Sequence, residues 1–417
     1  MSGREPFRGW WIVGVGFATQ SVSMGFSIMT FPLFVPFLVE EFGTERGPIV
    51  VGQSLFLAVM QGVGSVLGRL LDRRSIRAVM ALGALGMAAC LFALSRATAL
   101  WQLAILFGVL LSVGVTMLGP LSSSTLAAKW FRRKLGRAQG LTNMGGPAGG
   151  LFFAPIAGWL LAAYGWRTTL VCFAGMTLCV IPALWAVVRN QPADLGQHPD
   201  GLAPAAEAEA LAHAGLPWGP ARLVRARAFW CLALPLGVLM GISTAWIANF
   251  ATFAADLGVG TEQASLYLGV GSGVGILSTL AFGALSDRYD GRVLLWVIMA
   301  IHAVAFAFLR TLTGPAGFLP LVIGIGSAGG GMMPVYASLI GRIFGPASFG
   351  SVMGFAGLVM LPFFFALAPL AAALRDSSGS YASALLLFIA ALAAAAALLG
   401  FLRLEARPLA VASPARA

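Results

Sequence analysis

The sequence predicts an all-α membrane protein, twelve transmembrane helices in two six-helix pseudo-symmetric halves, and three observations carry that prediction. Apolar residues make up 59 % of the 417 and charged residues 10 %, against roughly 45–50 % and about 25 % in soluble domains. A soluble core of this size could not hide that much apolar surface. Twelve stretches are poor in charge and close to the roughly 20 residues a helix needs to cross a bilayer. Finally, one short sequence occurs twice between apolar runs: GRLLDRRSIR at 68–77 and GALSDRYDGR at 283–292, with Asp72 and Asp287 215 residues apart. That spacing is about half the chain, as expected of a duplicated membrane half, a common build for transporters.

Taken in order, the first half has spans at 11–39, 48–71, 78–95, 101–128, 138–163 and 168–188. The second span ends on the first repeat copy, the fourth runs into the basic cluster Lys129, Arg132, Arg133 and Lys134, and YGWR separates the fifth from the sixth. The second half has spans at 229–255, 263–286, 293–309, 317–341, 349–373 and 382–402, and its second span ends on the other copy. Between the sixth and seventh lies the longest non-apolar stretch, Arg189 to Arg227. The expected organisation is therefore an N-terminal six-helix bundle at 1–189, a cytoplasmic linker at 190–227, and a C-terminal six-helix bundle with a short cytoplasmic tail at 228–417.

Loop charge fixes the expected orientation, because Lys and Arg are retained on the cytoplasmic side. With the N-terminus inside, 21 of the 26 basic residues fall on the cytoplasmic side, Arg4, Arg403, Arg407 and Arg416 of the termini included. Only Arg46, Arg96, Arg167, Arg310 and Arg375 fall outside. Both termini are thus expected in the cytoplasm and the chain in the cytoplasmic (inner) membrane. The net charge of +11 reads as this asymmetry rather than as a nucleic-acid footprint. Cys90, Cys172, Cys179 and Cys231 lie in or beside apolar segments without metal spacing and read as packing residues. The first apolar run is about twice a signal core in length, with no small-x-small cleavage site after it, so it is expected to stay.

Motifs for other chemistry are missing or misplaced. GIGSAG at 324–329 matches the dinucleotide fingerprint but lies inside an apolar span and follows no strand, so it reads as helix packing. There is no Gly-x-Ser-x-Gly elbow, no His-Glu-x-x-His pair and no P-loop, so an enzyme, a cofactor, a metal site and ATP drive are not expected.

The pattern Gly-x-Leu-x-Asp-Arg after the second and eighth spans resembles the signature loop of the major facilitator superfamily. RGWWIVGVGFATQ, VEEFGTERGPIV, AKWFRRKLGRAQGLTNMGGPAGG, YGWR and PADLGQHPDG are similar to segments of its bacterial branch of monocarboxylate and oxalate/formate porters. The first copy has Ser75 where the pattern usually has Gly, and the second carries one extra residue, Tyr289 or Asp290. The resemblance implies alternating access, a proton as coupling ion, and a latch at the two loops made by Asp72, Arg73 and Arg77 and by Asp287, Arg288 and Arg292. Paired acid and base at helix ends suit such a latch; the alternative is a topology anchor without gating. Gly145, Gly146, Pro147, Gly149 and Gly150 partly resemble an antiporter motif, but Leu151 departs from it, and close helix packing is the better reading.

Polar groups in hydrocarbon are costly and tend to face an aqueous path. In the first, fourth, seventh and tenth helices, which line the path in the family, the substrate-binding candidates are Gln20, Ser23 and Ser27, Ser112 and Thr116, Trp246, Asn249 and Thr252, and Tyr336 and Ser338. Asn143, at the opening of the fifth helix, joins them. Gln20, Ser23 and Ser27 share one helical face. Against each stands the plain alternative of a hydroxyl bonded to its own backbone. His302, in the ninth span, is the proton-coupling candidate; the peripheral ninth helix of the family favours a packed histidine instead.

The family's substrate-pairing cations do not recur: the first, eighth and eleventh spans contain neither Lys nor Arg. The expected function is a secondary transporter of a small organic solute, monocarboxylate-like by resemblance, acting as a monomer in the lipid bilayer. The alternative is an efflux porter for neutral or lipophilic compounds, which Phe363, Phe364 and Phe365 suit. A signalling receptor on the same fold would need a substantial extra domain, and no loop or tail is long enough for one.

Overall fold

A computed structural model of the chain describes residues 7–44, 46–201, 218–312, 314–315 and 317–402. Arg4, Arg403, Arg407 and Arg416, and with them the expected cytoplasmic termini, lie outside the described residues, as does 202–217 of the linker. Among the described residues there are helices and no strands. A backbone in hydrocarbon must satisfy its own N–H and C=O groups, which a helix does within one segment.

The first half comprises α1 (Gly9–Phe42), α2 (Arg46–Arg73), α3 (Ile76–Ser95) and α4 (Leu100–Trp130), followed by one helical run, Leu135–Val187. That run is two spans, α5 and α6, parted at Gly165, whose φ of 76° only glycine adopts without strain. The second half comprises α7 (Arg227–Asp256), α8 (Thr261–Ser286), α9 (Gly291–Leu309), α10 (Phe318–Phe344), α11 (Phe349–Ser378) and α12 (Ala382–Gly400). The eleven runs long and apolar enough to span therefore contain twelve spans, as the sequence predicts.

Two helices depart from regularity where they border the interior. α1 widens into a π-turn at Gly25–Met29. α4 does so at Ala104–Leu111 and then breaks at Gly119, with Pro120 opening its last segment. Proline removes a helical donor, and a Cβ at Gly119 would meet Ser23 Oγ of α1. The break lets α1 and α4 approach.

Small residues make the closest crossings. Gly64 and Gly68 of α2 lie against Gly354 and Gly350 of α11, and Gly136 and Gly140 of α5 lie against Gly283 of α8. Within the second half, Gly326 and Gly330 of α10 lie against Gly271 and Gly275 of α8, so the fingerprint-like GIGSAG is a packing seam. Gly145 and Gly149 of α5 lie against Phe17 and Ser21 of α1 in the same way. Without a hydrophobic drive between helices in lipid, such close backbone contact is how spans hold together.

Candidate transport cavity and its closed end

Between the halves lies a cavity of about 480 Å³, within the range for small-ligand sites. The first half lines it with Gln20 and Met24 of α1, Met60 and Gln61 of α2, Thr116, Pro120 and Ser124 of α4, and Asn143 and Pro147 of α5. The second half adds Met240 of α7, Thr279 of α8, Gly329 and Met333 of α10, and Met353, Met360, Phe364 and Phe365 of α11. Met29 brings the lining methionines to seven, and among the described residues no charged side chain lines the cavity. Unbranched thioethers give an adaptable, polarizable wall.

One polar seam runs along its first-half wall. Gln20 Nε2 donates to Asn143 Oδ1 at 3.5 Å, and Gln20 Oε1 accepts from Ser123 Oγ at 3.2 Å. Asn143 Nδ2 donates to the carbonyl of Gln139 at 2.8 Å and to its Oε1 at 3.2 Å, and Gln139 Nε2 donates to the carbonyl of Ser124 at 2.9 Å. The network joins α1, α4 and α5, and its two cavity amides retain capacity for a carboxyl or carbonyl group. Across the cavity, Gln61 Nε2 donates to the carbonyl of Gly357 at 3.5 Å, linking α2 to α11.

Of the sequence-derived candidates, the structure gathers Gln20, Thr116 and Asn143 on this cavity. Ser23 and Ser27 point their hydroxyls at the carbonyls of Gln20 and Ser23. Ser27 borders a separate apolar cavity of about 310 Å³ inside the first half. Ser112 bonds back to Gly108. Trp246 sits among Phe250, Phe253, Phe306 and Phe318. Asn249 accepts from the Tyr381 hydroxyl at 3.1 Å and donates to the carbonyl of Ala245; Thr252 also bonds Tyr381. Tyr336 and Ser338 are buried within the second half. His302 is fully buried, its Nδ1 at 2.9 Å from the carbonyl of Ile298 and its Nε2 without a partner. Phe364 and Phe365 line the cavity, whereas Phe363 packs on Gly237 and Gly241. Gln61, Gln139 and Ser123 were missed; an amide inside a span is itself a signal, and both glutamines carried it.

One end of the cavity is shut by the two signature loops. Asp72 accepts from the Gly350 and Ser351 amides at 3.0 and 2.8 Å and from Ser351 Oγ at 2.6 Å, at the start of α11. Asp287 accepts from the Gly136 and Arg137 amides at 2.6 and 3.1 Å, at the start of α5. Each carboxylate thus reaches the opposite half, at a helix N-terminus whose unpaired N–H groups and dipole suit an anion. Burial pushes the Asp287 carboxyl above the ordinary range, opposed by those two amides and by Arg342 and Arg137. Lys129 Nζ donates to the carbonyl of Leu71 at 3.0 Å, beside Asp72, and Arg342 Nη2 donates to that of Ser286 at 2.5 Å.

Arg77 and Arg292, expected to pair with these aspartates, are engaged elsewhere, and the guanidinium that meets Asp287 is that of Arg137, at 3.7 Å. Arg77 stacks over Trp185 at 4.4 Å. Arg292 pairs with Asp290 at 2.7 Å and donates to the carbonyl of Leu402 at 2.9 Å. Arg73 and Arg288 are exposed.

Residues 16–369 match the family model described as Major Facilitator Superfamily. Monocarboxylate transporter 13 of Bos taurus is 29 % identical over 394 residues, covering 90 % of this chain and 85 % of its own. Monocarboxylate transporter 11 of Mus musculus is 28 % identical, covering 91 % and 83 %. Among solved structures, the human organic anion transporter MFSD10 (TETRAN) superposes with a TM-score of 0.73 at 14 % identity, over 95 % of this chain and 100 % of that one. The transporter FucP, in the outward conformation, gives 0.69 at 13 %, over 95 % and 98 %.

Proposed function

The chain belongs to the Major Facilitator Superfamily and is a multi-pass membrane transporter rather than an enzyme; from that premise we propose that it moves a monocarboxylate-like small organic solute by proton-coupled alternating access. The curated relatives are named monocarboxylate transporters. The observation that carries the reading further is the uncharged cavity with its Gln20–Asn143 seam. With no cation on its wall, a carboxylate would enter without the buried charge partner that makes such contacts strong. The undissociated acid needs only hydrogen bonds, which the two amides offer. The coupled proton then rides on the substrate, and His302, fully buried, is not required as its carrier.

The Asp72 and Asp287 contacts act as the cytoplasmic latch of the cycle. Units 1–189 and 228–417 rock about the cavity, joined by the linker 190–227. The protein works as a monomer in the cytoplasmic membrane, both termini inside. A second reading, efflux of neutral or lipophilic compounds, is favoured by the seven methionines with Phe364 and Phe365. Purified protein in liposomes under an imposed pH gradient, offered radiolabelled lactate, pyruvate, oxalate and a lipophilic dye, separates the two. Accumulation of a monocarboxylate supports the first; movement of the dye alone supports the second.

A further inference from the structure

We propose that Asp200, in the linker behind α6, is a positioning residue for the closed end: it shapes the loop before α5 so that the Gly136 and Arg137 amides meet Asp287. The inference rests on reading that end as a gate.

The chain turns from α4 into α5 within residues 131–134. Asp200 Oδ2 accepts from the Arg132 and Arg133 amides at 2.8 and 2.7 Å, and its Oδ1 from the Lys134 amide at 3.2 Å. Immediately beyond, Asp287 takes the Gly136 and Arg137 amides. The amides around the start of α5 are thus divided between two carboxylates, one from the linker of the same half and one from the opposite half. When Asp287 departs as the gate opens, Asp200 can keep the loop in its receiving shape, so closing again needs no reordering of that backbone.

Asp200 is itself held in place. Its φ of 57° is a left-handed conformation that Asp and Asn tolerate better than other side chains. Backbone in so sparse a region persists where its surroundings over-determine it, and here they do. Asn190 Oδ1 accepts from Ser75 Oγ at 3.1 Å and from the Arg77 amide at 3.2 Å, within the first signature loop. Asp194 caps the Asn190 and Gln191 amides, and Gln197 Oε1 accepts from the Arg8 amide before α1. Residues 190–201 therefore fasten the starts of α1 and α3 to the loop before α5. A passive tether between halves would need none of these bonds, and Asp200 does not line the cavity.

The test reads gate opening directly. In a full-length chain with the four native cysteines replaced, Thr279→Cys puts a thiol on the cavity wall at the closed end, and a membrane-impermeant maleimide is added from the signature-loop side. Asp287→Ala is expected to raise the labelling rate about tenfold, the scale of losing charged hydrogen bonds. Asp200→Asn, which keeps the left-handed preference, is expected to raise it severalfold with the thermal unfolding midpoint unchanged. The double variant should label no faster than Asp287→Ala alone, since both substitutions act on one contact. If Asp287→Ala raises labelling and Asp200→Asn does not, or the two effects multiply, the role of Asp200 is overturned while the gate stands. A lowered midpoint with parental labelling marks a merely structural residue and also overturns it. Parental labelling in Asp287→Ala removes the gate reading and this inference with it. Should Asp200→Asn not be recovered, Asp200→Glu, which keeps the charge but displaces it by a methylene, is expected to give a smaller rise, and parental labelling there overturns the proposal.

Discussion

Gln20 and Asn143 differ from Ser23, Ser27 and Asn249 in where their polar atoms go: theirs meet each other on the cavity wall, whereas the two serines bond carbonyls of their own helix and Asn249 bonds Tyr381, all away from that wall. Gln20→Leu and Asn143→Leu are therefore expected to lower transport by about tenfold or more, the effect of one or two lost substrate hydrogen bonds, in protein that still purifies as a monodisperse species. Asn249→Ala leaves the Tyr381 hydroxyl short of its acceptor in the second half, a loss of about 1–3 kcal/mol in stability. Its expected signature is a lower unfolding midpoint with an unchanged KM. Helical spacing placed Gln20 on the inward face of α1, but the same spacing also selected Ser23 and Ser27, because periodicity reports a face and not the partner of a hydroxyl. Trp246 and Asn249 share a helix face as their spacing implies, yet that face looks into the aromatic interior of the second half. Gln61 lies on α2, outside the helices treated as path-lining, although an amide in a span was there to be read.

The twelve spans were legible from runs of apolar residues, and the turn between α5 and α6 from YGWR, since each needs only local composition. The π-turns of α1 and α4 and the break at Gly119 were not, because they answer to neighbouring helices rather than to their own sequence. The seam of α2 against α11 depends on Gly64, Gly68, Gly350 and Gly354 lying backbone to backbone. Gly68→Val puts a branched side chain into the carbonyl of Gly350, so α2 and α11 are expected to separate at the signature-loop end. In the Thr279→Cys background, maleimide labelling from that side should then rise at least as much as with Asp72→Ala, while a small-to-large change at Gly86, which has open space around it, should leave labelling within about twofold, as surface substitutions usually do.

For the whole molecule, the duplicated Asp-Arg loops announced two related halves, and the folded chain gives each copy the same task, a carboxylate of one half on a helix start of the other. The sequence suggested that arginines would complete these contacts; it could not reveal helix-end amides from 278 or 151 positions away as the partners. Cargo was the least legible feature, because a cavity wall is assembled from eight helices and its character is the sum of side chains that no local motif joins. That sum is uncharged among the described residues, and it supports the central proposal, that the substrate crosses as the neutral acid. The direct measurement is the initial rate of lactate uptake into proteoliposomes at fixed total lactate across external pH, with the Asn143→Leu protein subtracted as background. The account predicts a rate that rises in proportion to the undissociated acid, about tenfold per pH unit while the acid remains mostly ionised. A rate that follows the lactate anion and is indifferent to pH would contradict it.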